Sequence, residues 1–236
     1  MSSDSNAQGC KVVLLGDSGV GKTCIISRYI TGNFEKNSVS TNGASYCSKN
    51  VEYKKLGKNL LLDIWDTAGQ EKYKALTKFF YKDAAICVLV YDITNKESFN
   101  NLKNFWYTQI KENNGTQIIL GVCGNKCDLY ENEEVEENDG RQFAEEIGAI
   151  YALTSAQNNT GISELFFNLG YKFLRPSYNP NADGNEVEAE VKEDTKEEKK
   201  DKKKDEKKIV LKKEDVGRRN KNKKSIRENW VFPVDV

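Results

Sequence analysis

The sequence predicts an α/β fold: a six-stranded, mostly parallel sheet covered by helices on both faces. Three observations carry that expectation. Short apolar runs alternate with segments whose apolar residues recur at helical spacing. Two of the runs, 84–91 and 118–124, are apolar almost throughout, as strands buried on both faces must be. The first run ends in a glycine-rich loop that opens directly into a helical pattern.

Each element follows from its local pattern. Residues 11–15 are apolar, end at Gly16 and form the first buried strand, and 22–30 follow as a helix. Residues 45–53 and 60–66 alternate in polarity and are expected as a strand pair turning at 56–59. Between the two central strands, Phe99, Leu102, Phe105, Trp106 and Ile110 recur at helical spacing as a core-facing stripe. Residues 141–147 are expected as a helix, 150–154 as the last strand and 162–174 as a closing helix, with Pro176 and Pro180 marking its end.

Charge is concentrated towards the C-terminus. Basic and acidic residues number 19 and 21 before Asp183 and 17 and 15 from there onward, where apolar residues become scarce. Such a segment buries too little surface to offset its chain entropy. Residues 177–236 are therefore expected as a disordered charged tail, 1–9 as a flexible N-terminus and 10–176 as one domain of ordinary size. A near-neutral domain offers no platform for nucleic acid. Neither a leading apolar stretch nor a span-length apolar run occurs, so a cytoplasmic chain is expected, with its six cysteines reduced and mostly small buried hydrophobes. Histidine is absent, which removes Ser-His and Cys-His nucleophile pairs and histidine zinc sites.

The chemistry begins at Gly16-Asp17-Ser18-Gly19-Val20-Gly21-Lys22-Thr23, which fits G-x-x-x-x-G-K-[ST] between a strand and a helix. Glycines let successive backbone N–H groups turn inward around phosphate at a helix N-terminus. Lys22 adds a point charge for the β- and γ-phosphates, and the Thr23 hydroxyl is a ligand for Mg²⁺. By itself the loop does not separate ATP from GTP.

After the run 118–124 comes Asn125-Lys126-Cys127-Asp128. An aspartate can accept two hydrogen bonds from guanine, at N1–H and the exocyclic amine. Adenine offers neither donor there, and a site built on such bonds rejects the wrong base by about 10⁴ or more. From about Cys10 to Leu174, the order of these motifs and the sequence around them resemble the Ras superfamily of small GTPases. The resemblance implies the G-domain form of the P-loop NTPase fold, with GTP or GDP bound along Asp17 to Cys24. It implies that Asn125 ties its loop to the phosphate loop and that the Lys126 stem lies over the base. Ser155 would steady Asp128, the Ala156 N–H would face guanine O6, and Phe34 would stand edge-on to the base. Gln157 occupies the position of the family's lysine, a departure that bears on base packing.

The strand 60–66 runs into Trp65-Asp66-Thr67-Ala68-Gly69-Gln70-Glu71. Asp66 closes an apolar strand where a metal-side carboxylate belongs in this class. By the same resemblance Gly69 presents its N–H to the γ-phosphate and Gln70 orients the attacking water. The resemblance also implies that Thr41, eighteen residues after Thr23, would ligate Mg²⁺ and sense the γ-phosphate. Release of that phosphate would relax both loops, an order–disorder switch. The phosphate loop carries no arginine, so intrinsic turnover of about 10⁻⁴–10⁻³ s⁻¹ is expected, accelerated by an arginine from an activating partner.

Within the superfamily the chain is most similar to the Rab branch, whose members control vesicle traffic by recruiting effectors when GTP is bound. Tyr46, Trp65 and Phe80 resemble the branch's effector-reading aromatics, with core packing under the switches as the alternative role. Activating, exchange-factor and effector proteins are expected to touch the stretches from Asn33 to Tyr46 and from Thr67 to Tyr81, on a monomer. Asn42 and Leu153 depart from the usual isoleucine and glutamate. No cysteine follows Cys127, so the branch's prenyl anchor is not expected at this C-terminus. From Lys199 to Arg227 there are 15 basic and 5 acidic residues, suited either to weak peripheral contact with anionic membrane or to a solvated spacer. Two further readings stay open: a pseudo-GTPase or structural subunit that retains nucleotide, and an ATPase.

Overall fold

A computed structural model of the chain describes residues 7–34, 44–67, 81–114 and 118–180. In chain order these form β1 (Gln8–Leu15), α1 (Lys22–Thr31), β2 (Ala44–Tyr53), β3 (Lys58–Thr67), β4 (Ile86–Asp92) and α2 (Lys96–Asn101). A π-helical segment (Leu102–Tyr107) continues α2 into α3 (Thr108–Asn114). Then come β5 (Ile119–Asn125), α4 (Glu137–Glu146), β6 (Ile150–Thr154) and α5 (Ile162–Leu174).

The six strands lie in the order β2-β3-β1-β4-β5-β6. Only β2 runs antiparallel, paired with β3 through a tight hairpin, and every other neighbour is parallel. The period-2 rule sorts the core into two layers. Val12 and Leu14 of β1 join Ile25, Ile26 and Tyr29 of α1 and Leu165, Phe166 and Leu169 of α5 on one face. Val13 and Leu15 join Phe99, Leu102, Trp106 and Ile110 of the second helical layer, with Phe143 of α4, on the other. The β4 strand is buried at every residue, as its unbroken apolar run requires.

The sequence reading differs at element ends. The hairpin turns two residues earlier than expected, through a 3₁₀ turn over Lys54–Leu56 capped by Gly57. The fourth helix starts at Glu137 rather than 141, because its first turn is acidic and polar and carries no apolar periodicity. The stripe from Phe99 to Ile110 is helical but interrupted by the π segment, and within it Phe105 is half-buried while Leu102 and Trp106 are buried. Of the cysteines, Cys10, Cys87 and Cys123 are buried, whereas Cys24, Cys47 and Cys127 are half-buried. Tyr178, just beyond the sequence-drawn boundary at 176, is fully buried against α5. Its hydroxyl donates to Asn168 Oδ1 at 2.7 Å, its ring lies 4.7 Å from that of Tyr171, and Lys172 Nζ donates to its carbonyl at 2.5 Å. No described helix is long and apolar enough to cross a membrane.

Candidate nucleotide-binding site

The motifs within the described residues meet at the carboxyl ends of the parallel strands, where ligands bind in open α/β sheets. The glycine loop leaves β1, Asp66 is the next-to-last residue of β3, Asn125 ends β5 and Ser155 follows β6. The connections diverge at β1, which has β3 on one side and β4 on the other, so the loop sits at the switch point of the sheet.

The loop's conformation is dictated by close approach. A Cβ on Gly16 would lie 2.1 Å from the Val90 carbonyl oxygen of β4. Gly21, the residue before α1, has φ 97°, and a Cβ there would lie 2.3 Å from Asn125 Nδ2. Both positions require glycine for space as well as for backbone freedom. The buried Lys22 ammonium donates to the carbonyls of Gly16 at 2.7 Å and Asp17 at 2.8 Å. Burial pushes that ammonium down to about 8, while the Asp66 and Asp17 carboxylates pull the other way. Ser18 and Gly19 are exposed at the loop tip, and Val20 is buried beneath it.

Asp66 is 2% exposed, and Thr23 Oγ1 donates to its Oδ2 at 2.7 Å. The carboxylate's other oxygen, Oδ1, is also buried. A hydroxyl and a carboxylate at this distance beside a phosphate loop form a hard oxygen donor set, the kind that suits Mg²⁺. Thr67 donates to the Leu14 carbonyl at 2.7 Å and fixes the end of β3 against β1. Thr41, Gly69, Gln70 and Phe80 lie outside the described residues.

The Asn125–Asp128 end of the site is built as a relay across strands. Thr154 Oγ1 donates to Asn125 Oδ1 at 3.1 Å, and Asn125 Nδ2 donates to the Val20 carbonyl at 2.8 Å, linking β6 through β5 to the phosphate loop. Asp128 is half-buried, and Ser155 Oγ donates to its Oδ1 at 2.5 Å. Ser155 in turn accepts from the Asn158 N–H at 2.9 Å, and its backbone pairs with Thr160. Among the described residues Lys126 is one of three non-glycine residues with positive φ, at 68°, and its ammonium lies 2.5 Å from Asp92 Oδ2. Ala156 is 4% exposed, Gln157 is exposed, and Phe34 and Cys24 are half-buried against the α1 side of the core.

The switch-side aromatics split. Tyr46 is 55% exposed, hydrogen-bonds Asp63 Oδ1 at 2.6 Å and meets the half-buried Trp65 edge-on at 5.4 Å. Pattern reading overlooked two donors to the phosphate loop. Asn101 Nδ2 and Trp106 Nε1 each reach the Asp17 carboxylate at 2.8 Å. The available signal was that a buried indole N–H must find an acceptor. A cavity of about 630 Å³ bordered by Arg141, Tyr151, Glu164 and Lys172 has none of the nucleotide motifs in its wall and plays no part in this site.

A profile of the Ras family matches residues 11–175. Ras-related protein Rab-22A of Mus musculus is 41% identical over 174 residues, covering 74% of this chain and 88% of that protein. Ras-related protein Rab-31 of Mus musculus is 43% identical over 176 residues, covering 74% and 87%. Ras-related protein RabJ of Dictyostelium discoideum is 38% identical over 169 residues, covering 72% and 65%. The family match runs from β1 to the end of α5, through every strand end that carries a motif, so this chain belongs to the Ras family as a Rab-like small GTPase.

Proposed function

We propose that this protein is a Mg²⁺-dependent, GTP-hydrolysing switch that acts in vesicle and membrane traffic. One observation carries the reading. The Asn125 side chain ties the guanine-reading loop to the Val20 carbonyl while Ser155 holds Asp128, so phosphate cradle and base reader are preset as one site.

In this reading the backbone N–H groups of Asp17 to Thr23 surround the phosphates and Lys22 adds charge at the β- and γ-oxygens. Thr23, Asp66 and Thr41 hold Mg²⁺, which when bound neutralises phosphate charge. Gln70 orients the attacking water and Gly69 offers its N–H to the γ-phosphate. The protein supplies positioning and charge rather than a strong base, which agrees with a chain that has no histidine. Turnover without a partner is slow, about 10⁻⁴–10⁻³ s⁻¹, and an arginine from an activating protein accelerates it. Effectors and exchange factors engage the stretches from Asn33 to Tyr46 and from Thr67 to Tyr81, where the exposed Tyr46 offers an aromatic face. The stretch from Lys199 to Arg227 supplies weak contact with anionic membrane.

Single-turnover hydrolysis of GTP by the purified full chain in Mg²⁺ tests this. Slow phosphate release that falls at least tenfold in Gln70→Leu, with GTP still held, supports the switch. Retained nucleotide with no release in the unmodified chain would make it a pseudo-GTPase. Displacement of labelled GTP by equimolar ATP would overturn guanine selectivity.

A further inference from the structure

We propose that Arg28 is a positioning residue for the purine, holding the Ala156 N–H in register with guanine O6; the inference rests on the guanine reading above. Arg28 lies in the last turn of α1, half-buried. Its guanidinium bonds three backbone carbonyls: Nε donates to Ala156 at 2.7 Å, Nη2 to Gln157 at 2.9 Å and Nη1 to Gly32 at 2.5 Å. Its Cζ also lies 5.8 Å from the centre of the Phe34 ring. One planar cation therefore joins the two segments that flank the base, across 128 and 129 residues of sequence.

Two successive carbonyls held by one rigid fork fix two successive peptide planes. The Ser155–Ala156 peptide, which carries the Ala156 N–H, is then locked from both sides. On one side is the reciprocal backbone pairing of Ser155 with Thr160, and on the other is the Arg28 fork. Gln157 is exposed, so the anchor of this loop is its backbone rather than a lysine side chain packed on the base. Lysine in place of Arg28 has a flexible point charge and cannot hold all three carbonyls in a plane. Asp128 is held separately, by the Ser155 hydroxyl. Arg28 bonds directly to the Ala156 and Gln157 carbonyls, on the O6 side, whereas Asp128 is reached through the Ser155 side chain, so loss of the fork is felt first at O6 and the role of Arg28 is separable from general loosening.

The test measures binding of three diphosphates to the full chain, unmodified and as Arg28→Lys and Arg28→Ala. GDP carries both edges. Inosine diphosphate lacks only the amine, and 6-thioguanosine diphosphate replaces only O6, by a larger and weaker acceptor. In Arg28→Lys, GDP is expected to dissociate about tenfold faster, and the preference for GDP over the 6-thio analogue to shrink about tenfold. The preference for GDP over inosine diphosphate should stay within about twofold. The proposal is overturned if both preferences fall together or if neither changes, whatever happens to thermal stability. Should Arg28→Ala fail to fold, Arg28→Lys, which keeps the stem and charge, decides the matter. Equal binding of guanosine and adenosine diphosphates by the unmodified chain would instead reject the guanine reading itself.

Discussion

The Trp106 indole N–H donates to Asp17 Oδ1 at 2.8 Å, joining the π-helical segment to the phosphate loop across 89 residues of sequence. Asn101 takes the other carboxylate oxygen at 2.8 Å. The Asp17 carbonyl in turn accepts from Lys22, so the second helical layer indirectly sets where the loop's cation stands. Trp106→Phe keeps an aromatic core residue and deletes the donor. A hydrogen bond to a charged group contributes about 1.5–3 kcal/mol, so urea unfolding should report a loss of that order. GDP should leave several times faster. An unchanged GDP off-rate would make the bond purely structural.

At Gly21, the left-handed φ of 97° and the Asn125 amide 2.3 Å from any added Cβ act together. Gly21→Ala must strain the backbone by about 1–2 kcal/mol and displace Asn125 from the Val20 carbonyl. The sum corresponds to a loss of about a hundredfold in GDP affinity, measurable by competition binding. Gly57, also at positive φ but with nothing near its Cβ position, is the control: alanine there should cost stability only and leave GDP binding unchanged.

Ser155→Ala removes the hydroxyl donor to Asp128 and the acceptor of the Asn158 N–H in one change. The carboxylate loses its orientation, so the amine and N1–H of guanine are read less well. GDP affinity should fall about tenfold to a hundredfold, with discrimination against ADP narrowing. Competition of labelled GDP by both diphosphates measures this. Full discrimination retained in the variant would show that Asp128 needs no such support.

The buried thiols set an alkaline limit on stability. Burial pushes Cys10 and Cys123 up to about 12 from an ordinary 9.0, and raises Cys87 still further. A raised folded value means that the fold keeps a proton the unfolded chain releases. This stability is complete below pH 9 and is lost as pH rises towards 12. Lys22, lowered to about 8, acts with the opposite sign between there and its ordinary 10.5. Each group contributes at most about 1.4 kcal/mol per pH unit, so three thiols outweigh one lysine by up to roughly 3 kcal/mol per unit. Urea unfolding at pH 9 and pH 10 should therefore show a fall, smaller in Cys87→Val. At pH 8, alkylation should reach the half-buried Cys24, Cys47 and Cys127 first, and bound GDP should slow Cys24.

The strands, the helices and the motif residues were legible because their signals are local. Period-2 and period-3.6 patterns sort buried from exposed faces, and G-x-x-x-x-G-K-[ST] and N-K-x-D need particular residue types at fixed spacing. Element ends were less legible, as at Glu137, because a polar first helical turn leaves no apolar trace.

Sequence alone determined the class of fold and the family it resembles, and it named the residues on which the proposed nucleotide chemistry rests. Only the folded chain decided what supports them. The Trp106–Asp17 bond, the Asn125 link to Val20 and the Arg28 fork on Ala156 and Gln157 all join residues far apart in sequence. Tyr178 shows the same limit: no nearby pattern announces a residue whose burial depends on the face of α5 it meets. Local pattern follows from backbone geometry within a few residues, whereas these partners are chosen by which strand ends the parallel sheet brings together.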